Sequence, residues 1–127
     1  MTASARARVD LTIYEGTTFR QSFQWKTGDP ATPVDLTGFT ARMHIRESIE
    51  SETALLELDS DGGGVVIDNP PAEGKYFVHL AATQTAGLCP DHERVNAVYD
   101  ILLILDDVVL LQQYGKAKIY PSVTRDE

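Results

Sequence analysis

The sequence predicts a single all-β sandwich domain, and three observations support this fold class. Apolar and polar residues alternate along most of the chain, which is the period of a strand with one buried face. Turn signals recur at intervals of about 8 to 12 residues, so we expect about eight strands and one short helical turn. A length of 127 residues, with 43% hydrophobic and 24% charged residues, is sufficient for one hydrophobic core.

Each predicted strand has its own alternation and its own breaker. Glu15-Gly16 ends the first strand, and two prolines mark residues 27–33 as a turn-rich connector. Residues 75–80 carry bulky side chains on both faces, so we expect this strand in the middle of its sheet. Residues 81–88 alone have helical content, and Gly87 limits them to two turns. The predicted strands are residues 9–14, 19–25, 39–46, 54–59, 65–68, 75–80, 95–105 and 108–120.

The last two predicted strands are the longest apolar segments, and together they predict a C-terminal hairpin. Only Asp106-Asp107 separates them, which is typical of a tight acidic turn. Gly115 inside the second strand predicts a bulge or a close backbone approach.

Aromatic residues in the second predicted strand have two explanations. Phe19, Phe23 and Trp25 share one face, which a sandwich buries, so we expect Trp25 in the core. The alternative is a carbohydrate-binding module in which Trp25 or Tyr114 is exposed and stacks on a sugar.

The charge balance limits the partners of the chain. Nineteen acidic residues against eleven basic ones give a formal charge of −8, which disfavours nucleic acid and anionic membranes as partners. Eight of the acids lie between Arg46 and Lys75 with no Lys or Arg among them, so we expect that stretch to face water or a basic partner. No membrane-spanning run and no secretory signal are recognisable, so we expect synthesis in the cytoplasm.

The polar motifs do not predict a metal site. Residues 59–64 (DSDGGG) begin as a calcium loop does, with alternating carboxylates before glycine. The pattern then fails, because its fifth position is Gly63 and its twelfth is Pro70, neither of which supplies a ligand. We interpret this segment as a hairpin turn, and we expect no metal and no cofactor.

Catalytic residues are not predicted either. His44, His79 and His92 fall on different predicted elements, and His92 is the best placed for proton chemistry. Cys89 lies nearby but fits no nucleophile motif, so we expect a small buried hydrophobe at that position.

The N-terminal segment, residues 1–8, predicts a flexible arm ahead of a domain that spans residues 9–125. After Met1 the arm has no apolar residue larger than alanine, so it cannot anchor itself in the core. Arg6 and Arg8 are the only basic residues before Arg20. They are the candidate contacts to carboxylates on partner proteins.

Several segments together resemble small tail-associated proteins of tailed bacteriophages. Towards the N-terminus these are residues 14–19 (YEGTTF), the strand that contains Trp25, and residues 34–43 (VDLTGFTARM). Residues 98–103, 115–119 and 121–125 resemble the closing hairpin of that group. More distantly, the strand pair around DLTG is similar to the N-terminal domain of phage baseplate upper proteins, an immunoglobulin-like β-sandwich that attaches receptor-binding proteins to the tail.

This resemblance covers most of residues 9–125 and implies a non-enzymatic structural protein. It implies an immunoglobulin-like sandwich in the virion, present in multiple copies and bound to tail, baseplate, fibre or spike proteins. The chain lacks the C-terminal extension that would hold a fibre, so we expect an adaptor or a ring component. A capsid decoration or neck protein, a carbohydrate-binding module and, last, an enzyme are the alternatives.

Overall fold

Alternating apolar residues form eleven strands in the described part of the chain, residues 7–123 of a computed structural model. Eight of these strands have three or more residues, which agrees with the number expected from the sequence. The strands are β1 (Ala7–Arg8), β2 (Leu11–Tyr14), β3 (Phe19–Gln24), β4 (Lys26–Thr27), β5 (Thr32–Pro33), β6 (Thr40–Arg46), β7 (Leu56–Asp59), β8 (Val65–Ile67), β9 (Lys75–Leu80), β10 (Val95–Leu105) and β11 (Val108–Tyr120).

The strands form two main sheets, which confirms the predicted all-β sandwich. The larger sheet has the order β1-β11-β10-β6-β7, and β2 also pairs with β11. The smaller sheet has the order β3-β9-β8, so β9 is central as predicted. All pairs within the two sheets are antiparallel except those of β1 and β2, which run parallel to β11.

The core lies between the two sheets and is built by every second residue of the strands. Leu11 and Ile13 of β2, for example, are 1% and 0% exposed, whereas Thr12 and Tyr14, which alternate with them, are exposed. Burial of each such aliphatic side chain contributes about 1.5–3 kcal/mol to stability. Trp25 is 5% exposed and belongs to this core, as predicted.

Two short helical turns lie between the strands. α1 (Ala82–Thr85) is one turn within the predicted segment, and Gln84 Oε1 accepts from the N–H of Ala81 at 2.8 Å to cap it. A 3₁₀ turn at Pro71–Glu73 was not expected, because the prolines indicated only a strand end. Gly74 follows it with φ of +69°, where a Cβ would lie 2.6 Å from the carbonyl oxygen of Trp25.

Two predicted boundaries near the N-terminus differ from the structure. The connector 27–33 is not purely irregular, because β4 and β5 pair within it. The arm was predicted to end at residue 8, yet Ala7 and Arg8 already pair with Gln113 and Tyr114 of β11. The sheet therefore begins two residues earlier than expected, and residues 1–6 lie outside the described residues.

Candidate functional site

A groove of about 740 Å³ lies on the outer face of the six-stranded sheet. Its apolar floor comes from β10 and β11 and includes Val98, Leu102 and Leu111. These three side chains are half-buried although they lie on the face away from the core. The outer face of a sheet in a sandwich is normally polar, so aliphatic residues at its centre indicate a contact surface.

β10 supplies part of this floor because aliphatic residues occur on both of its faces. Tyr99, Ile101 and Leu103 point into the core and are at most 4% exposed. Val98, Asp100 and Leu102 alternate with them and therefore point outward, and two of these three are aliphatic.

A bulge in β11 brings Leu111 to the same outer face. Ile101 pairs with Gln113, but the next residue, Leu102, pairs with Leu111, so Gln112 is the extra residue. Without the bulge, residues 111 and 113 would share the inner face, because side chains alternate along a strand. The bulge therefore lies at Gln112, where the sequence did not predict one, and not at Gly115.

Basic side chains surround the apolar floor. Arg8, Arg46 and Lys116 line the groove, and Asp100 is the only carboxylate among the lining residues. The groove is therefore locally basic in a chain whose formal charge is −8. An acidic or carboxylate-bearing partner suits this rim.

The rim is held in place by hydrogen bonds from Arg46. Its Nη1 donates to the carbonyl oxygen of Ser51 at 2.9 Å, and its Nη2 lies 3.0 Å from Nδ1 of His44. When His44 accepts that bond, its ring proton is on Nε2, which faces Glu57 Oε1 at 3.9 Å. Arg46 thus fixes both the end of β6 and the loop that follows it.

That loop, residues 47–55, carries an exposed apolar residue at the edge of the groove. Ile49 is 83% exposed and lies among Glu47, Glu50 and Glu52. Ser51 orders the loop, because its Oγ accepts from the N–H of Ser48 at 3.1 Å. Ile49 and the apolar floor line the same groove, so together they form a larger apolar surface than one exposed aliphatic residue would.

Arg8, one of the two predicted partner contacts, lies at the groove. It follows Ala7 in β1, and its Nε lies 3.7 Å from Asp10 Oδ1. More than half of its side chain is exposed, so this ion pair leaves the guanidinium accessible to a partner. Arg6, the other predicted contact, lies outside the described residues.

Gly115 lies against Val9 and Asp10 beside the groove. A Cβ at Gly115 would collide with the carbonyl oxygen of Val9, which confirms the predicted close backbone approach. The N–H of Lys116 donates to Asp10 Oδ1 at 3.0 Å. This bond, assisted by the nearby Arg8, holds the pKa of Asp10 below its usual range.

A buried polar chain below the groove joins the two sheets. Tyr76 of β9 donates to Gln113 Oε1 at 2.7 Å, and Gln113 Nε2 donates to the Tyr99 hydroxyl at 2.8 Å. Tyr99 in turn donates to the carbonyl oxygen of Val9 at 2.5 Å. The chain of bonds therefore fixes Val9 and both sheets relative to one another.

A second cavity, of about 470 Å³, lies beside Cys89 and His92. The N–H of Cys89 donates to Glu15 Oε2 at 2.9 Å, and the thiol points at the carbonyl oxygen of Ile119. Burial raises the pKa of the Cys89 thiol, and the Glu15 carboxylate raises it further. A protonated, buried thiol suits the predicted role of a small hydrophobe rather than a nucleophile.

The other polar candidates have structural surroundings of their own. His44 lies in β6 and His79 in β9, so the two belong to different sheets. The Asp59 carboxylate accepts from the N–H of Gly62 at 2.6 Å and closes the predicted turn. Within residues 7–123, His, Cys, Asp and Glu side chains form no group of three that would hold a metal ion.

The two aromatic residues considered for sugar stacking differ in their exposure. Trp25 is buried and cannot stack on a ligand, whereas Tyr114 at the groove is 40% exposed.

Among residues 7–123, none of the helices has the length and hydropathy of a membrane span. Comparison with protein-family models gave no match, and a search of curated protein sequences gave none either.

The groove was not predicted from the sequence, although part of its signal is visible there. Val98 and Leu102 break the alternation of the first hairpin strand, since both faces of that strand are apolar. The position of Leu111 depends on the bulge at Gln112, and the position of Ile49 depends on the loop conformation. Neither can be derived from periodicity alone.

Proposed function

We propose that the chain is a non-enzymatic structural protein of a tailed-bacteriophage virion, an adaptor in the tail or baseplate that binds neighbouring proteins through the groove. The observation that carries this proposal is the apolar floor of Val98, Leu102 and Leu111 inside a basic rim. Apolar centres with polar rims are the usual anatomy of protein–protein interfaces.

The finer fold that we propose is an immunoglobulin-like sandwich. One sheet has the order β1-β11-β10-β6-β7, with β2 also paired to β11, and the other has the order β3-β9-β8. A variable-type immunoglobulin domain has the last, sixth and third main strands in one sheet, extended by two additional strands, against the remaining strands in the other. The order β11-β10-β6-β7 supports the proposal, because it fits those three strands followed by one of the two additional ones.

The virion setting rests on the segments that resemble phage tail proteins. Residues 98–103 and 115–119 carry part of that resemblance, and they include Val98, Leu102 and Lys116 of the groove. The proposed contact surface and the resembling segments therefore coincide on β10 and β11.

The chemistry of the groove favours a protein over a sugar or a nucleic acid. Its floor is aliphatic, whereas sugars are usually held by exposed aromatic faces. Of the two aromatic residues considered for sugar stacking, Trp25 is buried and only Tyr114, 40% exposed at the groove, is accessible. Nucleic acid is disfavoured because the net charge of −8 repels a phosphate backbone. A folded partner with apolar and acidic side chains satisfies both parts of the groove.

The proposal is tested by particle composition and by one pair of variants. Mass spectrometry of purified particles is expected to find the chain in multiple copies. Leu102→Glu places a charge on the groove floor, and we expect it to reduce incorporation into particles at least about tenfold. Val66→Glu is the matched control, because Val66 is also half-buried but lies on the outer face of the three-stranded sheet.

Circular dichroism and thermal melting confirm that both variants fold before incorporation is compared. Absence of the chain from purified particles would contradict the virion assignment. Equal incorporation of Leu102→Glu and Val66→Glu would show that the groove is not the contact surface.

A further inference from the structure

We infer that the occupant of the groove is a second copy of this chain, related by a two-fold axis. This inference rests on the proposed function and names the partner of the same surface. The two copies would pack their six-stranded sheets face to face, with Ile49 of each copy inserted into the groove of the other.

Ile49 provides the first argument, because it is a large aliphatic side chain that stays mostly exposed to water beside an apolar floor. It is 83% exposed and lies at the edge of the groove rather than in its floor. In a two-fold interface, when one residue of the first copy contacts a second residue of the other copy, the same contact is repeated with the two copies exchanged. A residue at the edge of one groove is therefore well placed to reach the equivalent groove across the axis.

Charge complementarity provides the second argument. The loop that carries Ile49 has three glutamates and no basic residue over residues 47–55. The groove has three basic lining residues, Arg8, Arg46 and Lys116, against Asp100. A second copy thus supplies, from one short segment, an aliphatic side chain for the apolar floor and carboxylates for the basic rim.

The order of the loop provides the third argument, since a preformed contact segment loses little entropy on binding. Arg46 Nη1 holds the carbonyl oxygen of Ser51, and the hydroxyls of Ser48 and Ser51 lie 3.1 Å apart. The loop therefore presents Ile49 in a defined position before a partner arrives.

The size of the face predicts a weak, reversible dimer. β10 and β6 pair over seven residues, and four neighbouring strands span the face from β11 to β7. Four strands spaced about 4.8 Å apart, each seven residues long with a rise of about 3.3 Å per residue, cover roughly 450 Å² in projection. This is smaller than the roughly 800 Å² per partner of a standard interface, so we expect a weak, transient dimer and take a Kd of about 1–100 µM as the range to test.

Sedimentation of the full-length chain across that concentration range tests the inference. We expect the unmodified chain to pass from monomer to dimer, and Ile49→Asp to raise the Kd at least about tenfold. Val123→Asp is the matched control, because Val123 is 94% exposed and does not line the groove. Both positions are exposed, so neither substitution disturbs the core. A chain that stays monomeric, or a dimer that both variants affect equally, would overturn the inference.

A photoreactive amino acid at position 49 identifies what Ile49 contacts. Mixed copies labelled with light and heavy nitrogen distinguish crosslinks between copies from crosslinks within one copy. We expect crosslinks between copies to reach Tyr114 or Lys116 of the groove. Crosslinks confined to single copies would contradict the exchange of Ile49.

The failure of this inference is distinguishable from the failure of the proposed function. A chain that is monomeric in solution, but whose Leu102→Glu variant is excluded from particles, would mean that a different protein fills the groove. A dimer whose Leu102→Glu variant is still incorporated normally would contradict the proposed function of the groove in the virion.

Discussion

Substitution of Tyr99 by Phe is expected to destabilise the fold and to change how its stability depends on alkaline pH. The Tyr99 hydroxyl donates to the carbonyl oxygen of Val9 and accepts from Gln113 Nε2, which donates at 2.8 Å. Gln113 is 1% exposed, so water does not replace the lost partner easily. Leaving one buried polar group without its partner costs about 1–3 kcal/mol.

The same hydroxyl makes stability fall at high pH. Burial raises the pKa of Tyr99 from 10.0 to about 12. Because the folded-state pKa lies above the unfolded value, this contribution is complete below about pH 10 and is lost as the pH rises towards 12. A difference of about two pKa units corresponds to roughly 3 kcal/mol. Burial raises the pKa of Tyr76 in the same direction, so ionisation of Tyr76 should lower the stability of wild type and variant alike in alkali.

Chemical denaturation at about pH 8 and about pH 12 tests both effects. We expect Tyr99→Phe to be less stable than wild type by about 2 kcal/mol at the lower pH, and the gap to close at the higher pH. Tyr114→Phe is the control, because that side chain is 40% exposed and should leave stability unchanged. A gap that is the same at both pH values would refute the reasoning, since Tyr99 would then ionise equally in the folded and unfolded states.

Four further expectations follow from the contacts described above. Trp25→Ala should cost about 3–5 kcal/mol because the indole is 5% exposed, and an unchanged melting temperature would contradict its place in the core. Gly115→Ala should cost about 1–3 kcal/mol by displacing Val9, as measured by denaturation, and a neutral effect would argue against the close approach. Millimolar calcium should leave the melting temperature unchanged because the Asp59 carboxylate already closes its turn, whereas a shift of several degrees abolished by Asp59→Asn would indicate a site. Arg8→Gln should weaken particle incorporation without lowering the melting temperature, since its exposed ion pair stabilises the fold little; normal incorporation would exclude Arg8 as a contact.

The C-terminal hairpin shows how far the sequence alone could predict this fold. β10 and β11 end where predicted, because Asp106-Asp107 is a strong local turn signal between two apolar runs. The central position of β9 was also predictable, since both of its faces carry bulk. Local patterns such as these depend only on residues that are close in sequence.

Features set by distant residues could not be predicted in the same way. The parallel pairing of β1 and β2 with β11 requires the two ends of the chain to meet. The bulge at Gln112, which turns Leu111 outward, is defined by the pairing of β10 with β11 rather than by either strand alone. The candidate site depends on these features, which is why Arg8 could be named as a candidate contact from the sequence, whereas the apolar floor beside it could not.

Cryo-electron microscopy of the purified particle tests the central claim most directly, because it shows which face of the sandwich its neighbours cover. We expect the outer face of the six-stranded sheet to be covered, with Leu102 and Leu111 buried against protein, and the outer face of the three-stranded sheet around Val66 to be open to solvent. A particle in which the groove faces solvent while neighbours contact only the three-stranded sheet would contradict the account.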